Sequence, residues 1–192
     1  DALGVPLAAV FESGGEAPAA ALAAVTRNVC IRAGSVVLPL HHPVRVAEEW
    51  SMIDHLSKGR AGIAFASGWH FNDFVFNPDN YAERHQVLRD GVDTVRALWC
   101  GESRPFRAGN GSEVEFRTRP EPIQPELPVW ITAAGSPETF EYAGRIGANV
   151  RNVFHFDGNL AGGHLIERLV DRRSRQAQEY ALEREQADQH AA

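Results

Sequence analysis

A chain of 192 residues suits one well-buried domain or at most two small ones, and it is shorter than the roughly 250 residues of a typical eightfold β/α barrel. Hydrophobic residues at 44% and charged residues at 23% are ordinary soluble usage and exclude a collagenous or wholly disordered chain. Lys plus Arg number 19 against 25 Asp plus Glu, a formal net charge of -6, so no basic surplus advertises nucleic acid or anionic lipid. No apolar run approaches the ~18 residues of a membrane span and no signal-type segment opens the chain, which predicts a cytoplasmic protein.

Taken in order, an Ala-rich helix is expected from Ala17 to Thr26. From Cys30 to Leu40 the run Ser35-Val36-Val37, ending at Pro39, predicts a buried strand. Pro43 opens a helix in which Val46, Trp50 and Ile53 share a face, Glu48 and Glu49 point away, and Lys58-Gly59 closes the last turn. Ala61 to Ala66 is the next strand, followed by a loop from Ser67 to Pro78. Tyr81, His85, Leu88, Val92, Val95 and Trp99 then draw one helical stripe that Gly101 stops. Gly109-Asn110-Gly111, between Phe106 and Phe116, predicts a hairpin. Pro128 to Ala133 is a third parallel strand, Ser136-Pro137 starts a helix with Ser136 as its cap, Gly147 ends it, and Ala148 to Phe154 is a fourth strand.

Alternating strands and helices imply a parallel α/β sheet with about four βα units and one small hairpin excursion. The expected organisation is an atypical segment over residues 1–19, a main domain over 20–157, and a polar helical tail over 158–192 that is crowded with Arg and Glu. Cys30 and Cys100 form no CxxC pair and read as ordinary buried thiols, and the scattered histidines match no zinc spacing, so no metal is expected.

Ligands of parallel α/β proteins gather at the carboxyl ends of the strands. Those positions are Pro39 to His42, then Ser67 to His70, then Ala134, Gly135 and Ser136. The last set offers backbone N–H groups, a hydroxyl and a helix N-terminus to a phosphate; the plain alternative is that Ser136 caps and Gly135 turns. Ser67-Gly68-Trp69 offers close backbone approach and a flat wall to a planar cofactor, or simply a turn beside a core tryptophan. His42 suits a cap before Pro43. His41 and His70 are the candidates for acid–base work, and spacing alone assigns neither.

Residues 32 to 50, RAGSVVLPLHHPVRVAEEW, and 52 to 74, MIDHLSKGRAGIAFASGWHFNDF, resemble the luciferase-like flavin-dependent monooxygenases, as do 81 to 99, YAERHQVLRDGVDTVRALW, and 128 to 140, PVWITAAGSPETF. The resemblance runs from about Ala20 to Val150 and is strongest to domains of natural-product assembly lines. It implies a (β/α)8 barrel, here incomplete, that takes reduced FMN from a partner reductase and uses O2 to oxygenate a small or carrier-bound organic substrate. By position it places Gly34 to Val37, including Val36 and Val37, on the strand beneath the flavin, Ser67, Gly68 and Trp69 beside it, and Ala134, Gly135 and Ser136 at its phosphate.

Two departures from the family accompany this. Some relatives carry Arg where Ser67 stands, which leaves the phosphate to backbone amides and a helix dipole. Residues 1–19 lack the family's opening strand, helix and second-strand active-site motif, and the chain diverges after Val150, so the sequence predicts a barrel incomplete at both ends. The alternatives are a non-catalytic remnant or interaction domain, and a deazaflavin-dependent oxidoreductase of the same superfamily. Self-association is expected from Val36, Val37, Ile63, Phe65, Trp130 and Ile131, which an open half-barrel would leave uncovered.

Overall fold

The structure is a computed structural model that describes residues 8–11, 16–134 and 136–152. It divides into two compact units, one up to Val129 and one from Trp130 onward.

The first unit opens with β1 (Ala8–Phe11), α1 (Glu16–Val25) and β2 (Cys30–Val37), and continues with α2 (Pro43–Ser57), β3 (Ala61–Ala66) and α3 (Arg84–Trp99). β1 pairs with β2 in parallel, Ala8 opposite Cys30 and Phe11 opposite Ala33. This corrects the expectation that residues 1–19 hold no strand. Ala-Ala-Val-Phe is short and half alanine, so its own β-propensity is weak, and the ladder with β2 defines it. β2 pairs in parallel with β3, Ile31 opposite Ala61 and Val37 opposite Ala66. Beyond β3 the Ile63 N–H donates to the Pro128 carbonyl at 3.0 Å.

Between Ala33/Ile63 and Val36/Phe65 the register shifts, so Gly34 and Ser35 together face the single residue Ala64. That is a β-bulge, which twists the strand locally and re-aims the side chains that follow it, here Val36 and Val37.

α2 starts as its sequence predicts: His42 caps it by accepting the Val44 N–H on Nδ1 at 3.3 Å, and Pro43 takes the first position, where its missing N–H costs nothing. Lys58 at φ 59° and Gly59 at φ 81° end it. Val46, Trp50 and Ile53 are buried as the spacing requires. The same helix also buries Ser51 and Asp54, which receive the returning chain. Ser51 Oγ donates to the Pro120 carbonyl at 2.6 Å, and Asp54 accepts from the Ile123 N–H, the Gln124 N–H and Gln124 Nε2 at 2.8, 2.9 and 2.7 Å.

Arg60 locks the opposite edge, where α1 ends. Its Nε donates to Ser57 O at 2.6 Å, one arm reaches Thr26 Oγ1 and the Val29 carbonyl, and the other the carbonyls of Ala23 and Thr26. A guanidinium suits this place because several carbonyls at a helix C-terminus present partial negative charge to it.

α3 begins at Arg84 rather than Tyr81, and on its predicted stripe Leu88, Val92, Val95 and Trp99 are buried while His85 is exposed. His85 lies in the first turn, where the helix has not yet reached the packed face. β4 (Arg104–Arg107) and β5 (Glu113–Phe116) form the expected antiparallel hairpin, and the Asn110 side chain closes its turn by accepting from the Ser112 N–H at 3.0 Å. Cys30 is half-buried, but Cys100, just past α3, is exposed, which corrects its reading as a buried thiol.

The second unit holds β6 (Val129–Ala133) from Trp130 on, α4 (Pro137–Arg145) and β7 (Asn149–Asn152). β6 and β7 pair in parallel, Trp130 opposite Asn149 and Ala133 opposite Asn152. Gly147, at φ 65°, follows α4 as predicted. The expected tail over 158–192 lies outside the described residues.

The strands are parallel apart from the hairpin, and the chain is α/β. Five parallel strands are present among the described residues, against about four expected. Val36, Ile63, Phe65 and Ile131 are fully buried and Val37 and Trp130 half-buried, so the uncovered inner face on which self-association was expected is not found at these positions.

Candidate functional site

In the first unit the two strand ends that matter are those of β2 and β3. Val36 is buried, Val37 is half-buried, and the chain then turns through Leu38–Leu40. Across the ladder, Ala66 runs into Ser67, whose hydroxyl lies 3.3 Å from the Gly68 carbonyl. Gly68 has φ +76°, and a Cβ built there would stand 2.9 Å from both Val37 and Phe74. Both the backbone angle and the space therefore select glycine. The structure thus brings Val36, Val37, Ser67 and Gly68 together along adjacent strand ends, with the Gly34–Ser35 bulge just beneath.

Trp69 is 68% exposed, which rules out the plain reading of a core tryptophan. Its ring approaches His70 edge-on at 6.0 Å, and His70 stacks on Phe71 at 4.7 Å. The three rings make a short aromatic row immediately after Gly68.

The histidines divide by what their nitrogens do. His70 Nδ1 accepts the Asn72 N–H at 3.2 Å and so caps the turn over Phe71–Phe76, which leaves Nε2 as its one nitrogen for other chemistry. His42 caps α2 and sets its ring 5.5 Å from Phe106 of the hairpin, so it serves packing. His41 is exposed, and its backbone N–H returns to the Leu38 carbonyl at 2.9 Å. Among the described residues no cluster of three His, Cys, Asp or Glu is arranged to hold a metal ion.

Sequence reasoning missed Asn77 and Asn80. Asn77 Nδ2 donates to the Leu40 carbonyl at 2.9 Å and Asn80 Nδ2 to the Pro39 carbonyl at 2.7 Å. Their stretch, Asn-Pro-Asp-Asn, carries only a turn signal, and partners some forty positions away leave no local trace.

In the second unit β6 ends at Ala133, Ala134 is exposed, and α4 begins after Ser136; Gly135 lies outside the described residues. Ser136 occupies the cap position, but its side chain makes no cap hydrogen bond, contrary to expectation. Its own carbonyl already takes the Thr139 N–H at 3.1 Å, which is the third-position donor a capping hydroxyl would use. The hydroxyl is therefore left at an exposed helix start.

A flavin mononucleotide needs a flat apolar seat for its ring and donors for its phosphate. In the first unit Val37, Gly68 and Trp69 lie at the ends of β2 and β3 and suit a flat apolar ring, with Val36 buried on the same strand. In the second unit, taken by itself, Ser136 makes no cap bond at a helix start whose dipole favours an anion, although Glu138 stands in the first turn. With Ser67 in place of an arginine, the end of β3 offers a phosphate no charge pair.

Comparison with known proteins adds the following. The profile described as luciferase-like monooxygenase matches residues 8–188, a wider span than the words over 20–150. The flavin-dependent trigonelline monooxygenase, oxygenase component, of Acinetobacter baylyi is 33% identical over 137 residues, covering 68% of this chain and 36% of that protein. An F420-dependent hydroxymycolic acid dehydrogenase of Mycobacterium tuberculosis is 29% identical over 109 residues, covering 56% of this chain and 30% of that protein. Among solved structures, monooxygenase RslO1 from Streptomyces bottropensis superposes with a TM-score of 0.62 at 28% identity, covering 78% of this chain and 49% of that one. The chain spans at most about half the length of these relatives.

Proposed function

The chain belongs to the luciferase-like monooxygenase family, and from that premise we propose that it acts in FMN-dependent oxygenation of an organic substrate. The observation that carries a flavin is Gly68, whose φ of +76° and close approach to Val37 and Phe74 admit no side chain where the chain leaves β3. In the second unit Ser136 is a separate candidate for an anion, because its hydroxyl makes no cap bond at the start of α4, where the helix dipole favours negative charge. Reduced flavin, when bound, supplies the two electrons that let one atom of O2 enter the substrate while the other leaves as water.

The chain's own residues bind and orient. Val37 and Gly68 form the apolar floor, with Val36 buried on the same strand, and the exposed rings of Trp69 and Phe71 stand where they would cover a bound ring. Nε2 of His70 is the titratable atom nearest that floor along the chain and is the group proposed to hold or move a proton. The flavin comes reduced from a separate reductase; the "oxygenase component" in the name of the trigonelline enzyme supports such a division of labour. A carrier-bound or small substrate of natural-product biosynthesis remains the proposed substrate class, on the words shared with assembly-line domains. Self-association is proposed through α1 and α2, where Val25, Met52 and Leu56 are exposed large apolar side chains.

A second reading, deazaflavin-dependent oxidoreduction, is favoured by the F420-dependent relative. Oxygen uptake separates the two. With NADH, a flavin reductase and FMN, the protein is expected to raise the coupled incorporation of oxygen into an added substrate library above the reductase alone. Hydride exchange with F420 and no change in oxygen products would contradict the proposal.

A further inference from the structure

The loops that follow β2 and β3 differ in length: a short one, Leu38–His42, that opens with a turn over Leu38–Leu40, and a run from Ser67 to Glu83. Ladder pairing stops at Val37 and Ala66, so the carbonyls of Pro39 and Leu40 find no partner in the sheet. The side-chain amides of Asn80 and Asn77 take them, at 2.7 and 2.9 Å. The turn is also held from α3, because Leu38 is 1% exposed and packs so closely that a Cβ on Gly91 would lie 2.7 Å from it. The longer loop has one deep anchor, Phe74, 2% exposed beneath Gly68. Its ring meets Tyr81 edge-on at 5.0 Å, and Arg84 lies over the Tyr81 ring at 4.8 Å.

We infer that Asn77 and Asn80 are positioning residues that tie the turn after β2 to the loop after β3 as one rim, and that this rim sets where Val37, Gly68 and Trp69 stand against a flavin ring. The inference rests on the reading of this site as a flavin seat. The side-chain bonds of the two asparagines go to the Leu40 and Pro39 carbonyls, so each acts through the backbone it holds. Asparagine suits the task because its short amide donates to a nearby carbonyl, whereas an aspartate of the same shape would set a negative oxygen against that carbonyl. Each bond is a neutral one near the surface and adds little to global stability. Locally the balance differs, because without these ties the loop is held mainly through Phe74 and opens at a small fraction of the cost of unfolding. A ring binding to an untied loop must order it first, which weakens affinity.

The test compares the wild type with Asn77→Asp, Asn80→Asp and the double Asn77→Ala/Asn80→Ala variant, in the full chain. Amide hydrogen exchange is followed by mass spectrometry over residues 38–42 and 67–80, alongside thermal melting and an FMN titration. The isosteric aspartates guard against a folding defect in the double alanine. The expected result is exchange faster by roughly tenfold in both segments at either single substitution, a nearly unchanged melting temperature, and roughly tenfold weaker FMN binding in the double variant. The visible spectrum of the bound flavin should also move toward that of free flavin, a change that a purely structural role would not produce. Unchanged exchange over 67–80 in Asn80→Asp, or faster exchange with unchanged FMN affinity, overturns the inference while leaving the flavin reading in place. A wild type that binds no FMN overturns the flavin reading, and this inference falls with it.

Discussion

Replacing Asp54 with alanine is expected to lower the free energy of unfolding by about 3–5 kcal/mol. The carboxylate is 0% exposed and gathers three donors, the backbone N–H groups of Ile123 and Gln124 and the Gln124 side chain. Truncation would leave all three without their acceptor and open a space under the returning chain. The same Gln124 amide also donates to the Ala61 carbonyl at 2.9 Å, so the loss would spread to the first residue of β3. Asp54→Asn should cost less, about 1–2 kcal/mol. One oxygen can still serve the two backbone donors, and the new amide faces Gln124, which can answer only by turning and giving up Ala61. Urea denaturation of the two variants checks this order, and equal stability of Asp54→Ala and wild type would show that the loop over 117–127 is held by other contacts.

The second large effect is on ligand affinity. Gly135→Asp is expected to weaken FMN binding by about tenfold, since it would set a like charge beside the phosphate at an exposed helix start, where solvent screens part of the repulsion. In the sequence Gly135 follows Ala134, which is exposed, and precedes Ser136, whose hydroxyl makes no cap bond. Ser136→Ala removes one neutral hydrogen bond and should cost only about fivefold. Riboflavin, which has no phosphate, is the control. Its binding should be indifferent to both changes, and parallel losses for FMN and riboflavin would mean that the phosphate is held elsewhere.

What could be read from the sequence follows the range of the interaction. α2 was legible because Val46, Trp50 and Ile53 repeat with the helical period and His42-Pro43 is a local start signal. Its buried polar residues, Ser51 and Asp54, were not, since their partners lie 69 and 70 positions away. β1 was illegible for the same reason, being defined by pairing with Cys30–Ala33. In the candidate site, Gly68 announced a turn, but its contact with Val37 and Phe74 needs the folded chain. Ser136 was recognised as a helix start and misread as a cap, because only the backbone shows that its own carbonyl takes the Thr139 donor. The family words over 20–150 pointed to the strand ends themselves, and the structure adds the Gly34–Ser35 bulge and the two asparagines that shape them.

If the ends of β2 and β3 seat FMN as proposed, equilibrium titration of the wild type followed by flavin fluorescence should show saturable binding of one FMN per chain, tighter than that of F420. No saturable FMN binding, or tighter binding of F420, would overturn that reading.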